Sequence, residues 1–348
     1  VGSEMCIRDR AKVRSSVRDM AQELIALYAK RMSTPGYAFS PDGDMQRDFE
    51  LRFAYDETDD QLQSAAEIKA DMERPSPMDR LLCGDVGFGK TEVALRAVFK
   101  CVLDGKQCAV LVPTTILAWQ HYQTVLKRME GFPVDVELLS RFRTPKQQKE
   151  ILQRLADGKI DVVVGTHRLV QEDVRFRDLG LCVIDEEQRF GVKQKEKFKQ
   201  LKGSVDILTL SATPIPRTLA LILYGDLDVS IIDQLPPGRK SVETYAVPGS
   251  YHQRIYAFLR KLIGEGRQAY IVCPQVSQSE DDDSDDRKAV TEYAKKLQGE
   301  VFPDLKVAYV HGKMKPKEKE AVMSAFAAGE SHILVSTTVI EVGVDVPN

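Results

Sequence analysis

The strongest chemical signal in this chain is the run Gly84-Asp85-Val86-Gly87-Phe88-Gly89-Lys90-Thr91. It fits G-x-x-x-x-G-K-[ST] and follows an apolar stretch at residues 80–83. Glycines let a backbone wrap closely around phosphate, so that its N–H groups point inward. A helix starting near Thr91 adds the positive end of its dipole. Lys90 is then placed to reach β- and γ-phosphates, and Thr91 to ligate Mg²⁺. A second set, Asp185-Glu186-Glu187-Gln188, follows the apolar stretch 181–184. An acid at the carboxyl end of a strand can hold Mg²⁺ opposite a phosphate loop, which gives that role to Asp185. Glu186 is placed to orient and activate an attacking water. Lys90, Asp185 and Glu186 are therefore the catalytic candidates for ATP hydrolysis.

These residues need a scaffold that brings strand ends together. From about Leu62 the sequence alternates strand and helix. Candidate strands at 80–83, 108–112, 134–139, 160–164, 181–184 and 207–210 are short continuous apolar runs, as expected for a parallel sheet covered on both faces. One intervening helix has a clear start, because Thr144-Pro145-Lys146-Gln147 supplies an N-cap, a proline at the first helical position and a glutamine at the third. The alternation predicts a doubly wound α/β domain. Pro236-Pro237-Gly238, inside 234–240, marks a boundary. A second series follows, with strands near 242–247, 269–273, 307–310 and 333–336. Between them the acidic block 280–286 is expected to be a disordered loop.

Composition sets the bounds. The chain has 348 residues, 43% hydrophobic and 29% charged, which suits two or three globular domains. No apolar run approaches the ~18–20 residues of a membrane span, so no membrane is expected as a partner and the cytoplasm of a bacterium is the expected location. The net charge of −3 leaves any nucleic-acid contact to local loops and helix N-termini. The six cysteines form no C-x-x-C pair, which argues against zinc and for buried free thiols. Residues 1–10 read as a non-native scar. Residues 11–32 read as an amphipathic helix with a basic face, within a linker and connector at 11–60 that carries aromatic anchors Tyr37, Phe39, Phe49, Phe53 and Tyr55.

Three further segments follow strands of the first sheet: Pro113-Thr114-Thr115, Gly165-Thr166-His167 and Ser211-Ala212-Thr213-Pro214. In an open parallel sheet everything beyond the carboxyl ends faces one crevice. Hydroxyls and N–H groups there suit a phosphate backbone. Thr114, Thr115, Arg141, Arg143, Thr166 and His167 are the candidate nucleic-acid contacts. Each segment alone reads more readily as an ordinary turn; the ordered set does not.

Taken together the motifs resemble superfamily 2 helicases and translocases. The resemblance implies two RecA-like P-loop domains with parallel sheets, at 61–235 and 236–348. It also implies that ATP and Mg²⁺ are held by Gly84, Asp85, Val86, Gly87, Phe88, Gly89, Lys90 and Thr91. Phe53–Gln61 (FAYDETDDQ) resembles a Q-motif, which makes Gln61 the adenine reader. Ser336–Pro347 (STTVIEVGVDVP) resembles motif V, which implies DNA contact by Thr337 and Thr338 and nucleotide sensing by Gly343 and Asp345. Gln188 stands where the relevant families usually carry His, and is expected on the phosphate side.

Met78–Ala97, Leu111–Tyr122, Ser140–Thr144 and Asp185–Lys197 are similar to the transcription-repair coupling factor (Mfd) family. Leu223–Lys240 and Val307–Glu330 are similar to the RecG family of branched-DNA helicases. A join of the two near Thr213–Ala220 is one expectation, and a divergent member of one family is the other. The implied partner is double-stranded or branched DNA. RNA polymerase is implied only for the coupling-factor family, whose polymerase-binding part these residues lack. The chain ends at Asn348, ahead of the paired-arginine motif (Q-x-x-G-R-x-G-R). The second domain is therefore expected to be incomplete and the chain poorly active. The rival function is a nucleotide-binding fragment without motor activity. An RNA helicase is disfavoured, because GTH and DEEQ differ from the D-E-A-D type.

Overall fold

The computed structural model describes residues 35–141, 143–186, 190, 205–212, 227–238, 242–273, 283–311 and 314–337. The chain divides into two compact units, Val1–Lys240 and Ser241–Asn348. The helix expected at 11–32, and the stretch 213–220, lie outside the described residues.

In the first unit the described elements run α1 (Asp44–Leu51), α2 (Asp59–Met72), β1 (Asp79–Gly84), α3 (Lys90–Leu103), β2 (Gln107–Leu111), α4 (Thr115–Arg128), β3 (Val136–Leu139), α5 (Pro145–Ala156), β4 (Val162–Gly165), β5 (Leu179–Asp185), β6 (Asp206–Ser211) and β7 (Asp228–Ile232). The strands form one sheet in the order β3-β4-β2-β5-β6-β1-β7, and every pairing is parallel. Continuous burial along β1, β2 and β6 is what a sheet covered on both faces requires. Ile184, Leu208, Leu111 and Val163 are essentially inaccessible to solvent.

The expected start of α5 is present: Thr144 and Gln147 form a reciprocal capping box with proline in the first turn. The connector is more ordered than its polar composition suggests. It contains α1, and Phe49 stacks on Phe99 of α3 at 4.2 Å between ring centroids. Lys100 of α3 ties it down through Asp42 (2.8 Å) and the Ser40 carbonyl (2.7 Å), and also bonds Glu73 just after α2 (2.7 Å). Of the aromatic anchors, Phe39 and Phe49 are buried and Tyr55 is exposed.

β7 carries no apolar run to announce it. Its Ser230 is buried because it meets Arg80 of β1 (2.8 Å) and Glu67 of α2. Arg80 also bonds Asp71 (2.7 Å), so one buried guanidinium joins β1, β7 and α2.

The second unit contains α6 (His252–Gly264), β8 (Ala269–Val272), α7 (Asp283–Lys296), β9 (Val307–Val310), α8 (Pro316–Ala327) and β10 (Ile333–Ser336). Its described sheet is parallel, in the order β8-β10-β9. Ile333, Val335, Leu297 and Phe302 centre its core. Two expectations fail here. Residues 242–247 form no strand, and Val242 and Tyr245 are largely exposed: alternating residue types make a strand only beside a partner, and none pairs with them among the described residues. The acidic block enters helix α7 from Asp283 onward rather than staying a loop, since acids are favoured in a first helical turn by the exposed N–H groups there.

Asp206 opens β6 and is buried, and its Oδ1 accepts from the Met78 N–H (2.8 Å). Its Oδ2 has no partner among the described residues. Burial pushes its carboxyl up to about 8 against the Met78 bond, and the charge of Asp71 adds to the rise. A folded carboxyl that holds its proton more tightly than the unfolded one makes stability fall as pH rises between about 4 and about 8. Asp206→Asn keeps the acceptor for Met78 and cannot ionise. It should flatten that part of the profile, so that urea midpoints at pH 5 and pH 8 lie closer together than in the unaltered chain. An unchanged gap would remove Asp206 as the cause.

Candidate nucleotide and nucleic-acid site

The phosphate loop leaves β1 at Gly84 and enters α3 at Lys90. Gly87 (φ 78°) and Gly89 (φ 87°) take left-handed backbone there, which side chains with a Cβ rarely adopt. A Cβ on Gly89 would lie 2.3 Å from the Gln61 amide nitrogen. Gln61 therefore rests directly on the loop, and its Nε2 donates to the Phe88 carbonyl (2.8 Å). Its Oε1 accepts from the Thr58 N–H (3.1 Å), and the Thr58 hydroxyl accepts from the Gln61 N–H (3.2 Å), completing the cap of α2.

Lys90 folds back on its own loop and donates to the Gly84 and Asp85 carbonyls (2.6 and 2.9 Å). Burial lowers its pKa, and the charges of Asp185, Glu186 and Asp85 resist that fall. The acids act on Lys90 because their strand is near. β5 and β1 both flank β6, so their carboxyl ends lie two strand spacings apart, roughly 10 Å.

Asp185 closes β5 and its Oδ2 is 3.0 Å from His121 Nε2 on α4. Glu186 has φ 55°, left-handed backbone that a residue with a side chain seldom takes and that clusters at functional sites. Two bonds to the end of β6 hold it: its N–H donates to the Leu210 carbonyl (3.1 Å), and its Oε1 accepts from the Ala212 N–H (3.2 Å). The donors fit a hard divalent cation, because Thr91 and Asp185 offer only oxygen.

The nucleic-acid candidates follow β2, β3 and β4, the other half of the same sheet edge. Thr114 caps α4, its hydroxyl accepting from the Leu117 N–H (3.3 Å), and Thr115 is the first residue of that helix. Arg141 is exposed. Arg143 is partly engaged, with the Leu138 carbonyl (3.4 Å), Glu137 (3.5 Å) and the Tyr122 ring (5.9 Å) around it. Thr166 is buried and its hydroxyl finds no partner among the described residues. His167 is held below its ordinary pKa by burial and by the charges of Arg141 and Arg168, which favours the neutral ring near pH 7.

Residues 58–222 match the DEAD/DEAH box helicase family, and residues 252–348 match the helicase conserved C-terminal domain. The chain carries the paired domains of a superfamily 2 helicase. It is 54% identical over 341 residues to the transcription-repair-coupling factor of Bacillus subtilis (strain 168), a match that takes in 98% of this chain and 28% of that protein. The same-named protein of Staphylococcus haemolyticus (strain JCSC1435) is 48% identical over 342 residues, again over 98% of this chain and 28% of the relative. The chain thus spans under a third of the length of these curated relatives. Among solved structures, RecG bound to a three-way DNA junction is 41% identical at a TM-score of 0.74, over 94% of this chain and 43% of that one. Both likenesses run past the stretch 213–220 rather than stopping at it.

The helicase fold places Gln61, the phosphate loop, Lys90, Thr91, Asp185 and Glu186 around one end of the β5-β6-β1 strand group. Thr337 lies in the second unit, buried at the end of β10, and its carbonyl accepts from the Ser336 hydroxyl. Gln188, Thr338, Gly343 and Asp345 lie outside the described residues. His121 was not among the expected site residues. It lies 64 positions from Asp185 in the chain, and no local pattern announces such a pairing.

Gly89→Ala should displace Gln61, because the new methyl needs both the left-handed backbone and the space its amide fills. Titration with a fluorescent ATP analogue should show at least a tenfold loss. Unaltered affinity would mean that the Gln61 contact is dispensable to the loop.

Proposed function

We propose that the chain is the core of an ATP-dependent DNA translocase or helicase of DNA repair, of the coupling-factor and RecG kind. One observation carries the reading: nucleotide and nucleic-acid candidates share a single sheet edge, and α4, which begins at Thr115 in the nucleic-acid half, sets His121 against Asp185 in the nucleotide half. In this reading the loop N–H groups from Asp85 to Thr91 and the Lys90 amine hold the phosphates. Gln61 is poised at the loop to read the base. Thr91 and Asp185 hold Mg²⁺, which would neutralise charge on the phosphates when bound. Glu186 orients the attacking water, fixed by its bonds to Leu210 and Ala212.

On the nucleic-acid half, Thr114 and Thr115 present a helix N-terminus, Arg141 supplies exposed charge, and Arg143, Thr166 and His167 complete the wall. Thr337 and Thr338 are proposed to contact the backbone from the second domain, and Gln188, Gly343 and Asp345 to sense the nucleotide. Duplex or branched DNA is the proposed partner. The RecG structure was solved on a three-way DNA junction, which supports that choice. RNA polymerase is proposed only for a longer protein of the coupling-factor kind.

DNA binding should be weak and salt-sensitive, since the contacts are few and the net charge of −3 opposes long-range attraction. The affinity for a labelled duplex, measured at two salt concentrations, should drop with salt. It should change when a non-hydrolysable ATP analogue and Mg²⁺ are added, and Arg141→Ala should weaken it several-fold. Salt-independent binding, or affinity indifferent to the nucleotide, would contradict the reading. A clear preference for single-stranded RNA would favour the RNA-helicase alternative.

A further inference from the structure

We infer that His121 is a positioning residue: its Nε2–H fixes the Asp185 carboxylate in the orientation that receives the metal. The inference rests on the reading of Asp185 as the metal-holding acid. His121 sits in α4, and its Nε2 lies 3.0 Å from Asp185 Oδ2. Both side chains are well shielded, 11% and 15% exposed, so water competes little for this bond. Among the described residues the Asp185 carboxylate has no other hydrogen-bond partner.

A carboxylate at a strand end can turn about two side-chain torsions. One N–H on one oxygen removes most of that freedom and leaves the second oxygen for a cation or its bound water. Lys90 acts on the same carboxylate by charge alone, since its amine donates to the Gly84 and Asp85 carbonyls. The imidazole is thus the one directional group on Asp185 among the described residues. A packing role explains the histidine less well, because Leu117, Ala118 and Val125 already bury the apolar side of α4. Groups that orient a metal-binding side chain typically change metal affinity about 10–100-fold when removed.

The test measures the affinity of the full chain for a fluorescent ATP analogue, with Mg²⁺ and with EDTA. The ratio of the two affinities is the gain due to metal. His121→Ala should cut that gain about tenfold and leave the EDTA affinity unchanged. His121→Gln, which returns an N–H near the Nε2 position, should restore most of it. Asp185→Asn should abolish the gain. A full gain in His121→Ala, with the gain lost in Asp185→Asn, would overturn the inference and leave the site reading standing. A loss in His121→Gln as large as in His121→Ala, or a fall in EDTA affinity, would mean packing instead of positioning. A gain that survives in Asp185→Asn, or that the unaltered chain lacks, would remove the metal role of Asp185 and the inference with it.

Discussion

The parallel register of β1, β6 and β5 is the constraint on which the site depends. Leu82 pairs with Leu210 and Ile184 with Thr209, so Gly84, Ser211 and Asp185 finish at one edge. Each strand of a parallel sheet must return by a crossover, so each hands its next residues to the same side. Shifting β5 by one residue would turn the carboxylate of Asp185 to the other face of the sheet. The buried apolar residues on both faces hold that register, and the chemistry inherits it.

Within that frame each group nearest the phosphate loop is restrained by backbone partners. Gln61 caps α2 and bonds the Phe88 carbonyl. Lys90 bonds the carbonyls at its own loop's entrance. Glu186 takes a left-handed backbone and is fixed to the end of β6 through Leu210 and Ala212. A ligand that draws Lys90 or Glu186 away therefore disturbs neighbours on β1 or β6. Helix α4 extends the same linkage toward the nucleic-acid half, since it begins at Thr115 and carries His121.

Much of this was legible in the residues because the signals were local. The phosphate loop declares itself through glycines at fixed spacing before Lys90. The start of α5 declares itself through Thr144, Pro145 and Gln147. Most strands appear as apolar runs. What was not legible depends on distant partners. β7 was hidden because Ser230 is buried by Arg80, far away in the chain. Residues 242–247 have strand-like residue types and no strand paired with them among the described residues. The acids from Asp283 onward repel one another, which suggests a loop, while the helix they open extends through residues well beyond the acidic block. The pairing of His121 with Asp185, and the left-handed backbone of Glu186, have no counterpart in any local pattern.

The central claim is that the loop from Gly84 to Thr91 holds the phosphates of ATP and that Lys90 supplies the charge for it. The most direct measurement is the affinity of Lys90→Ala for a labelled ATP analogue in Mg²⁺, beside that of the unaltered chain. The account predicts that binding is lost in the variant while its circular dichroism and urea midpoint remain close to those of the parent. Affinity equal to the parent's would contradict the assignment of the loop as the phosphate cradle, and with it the placement of the nucleotide at this edge of the sheet.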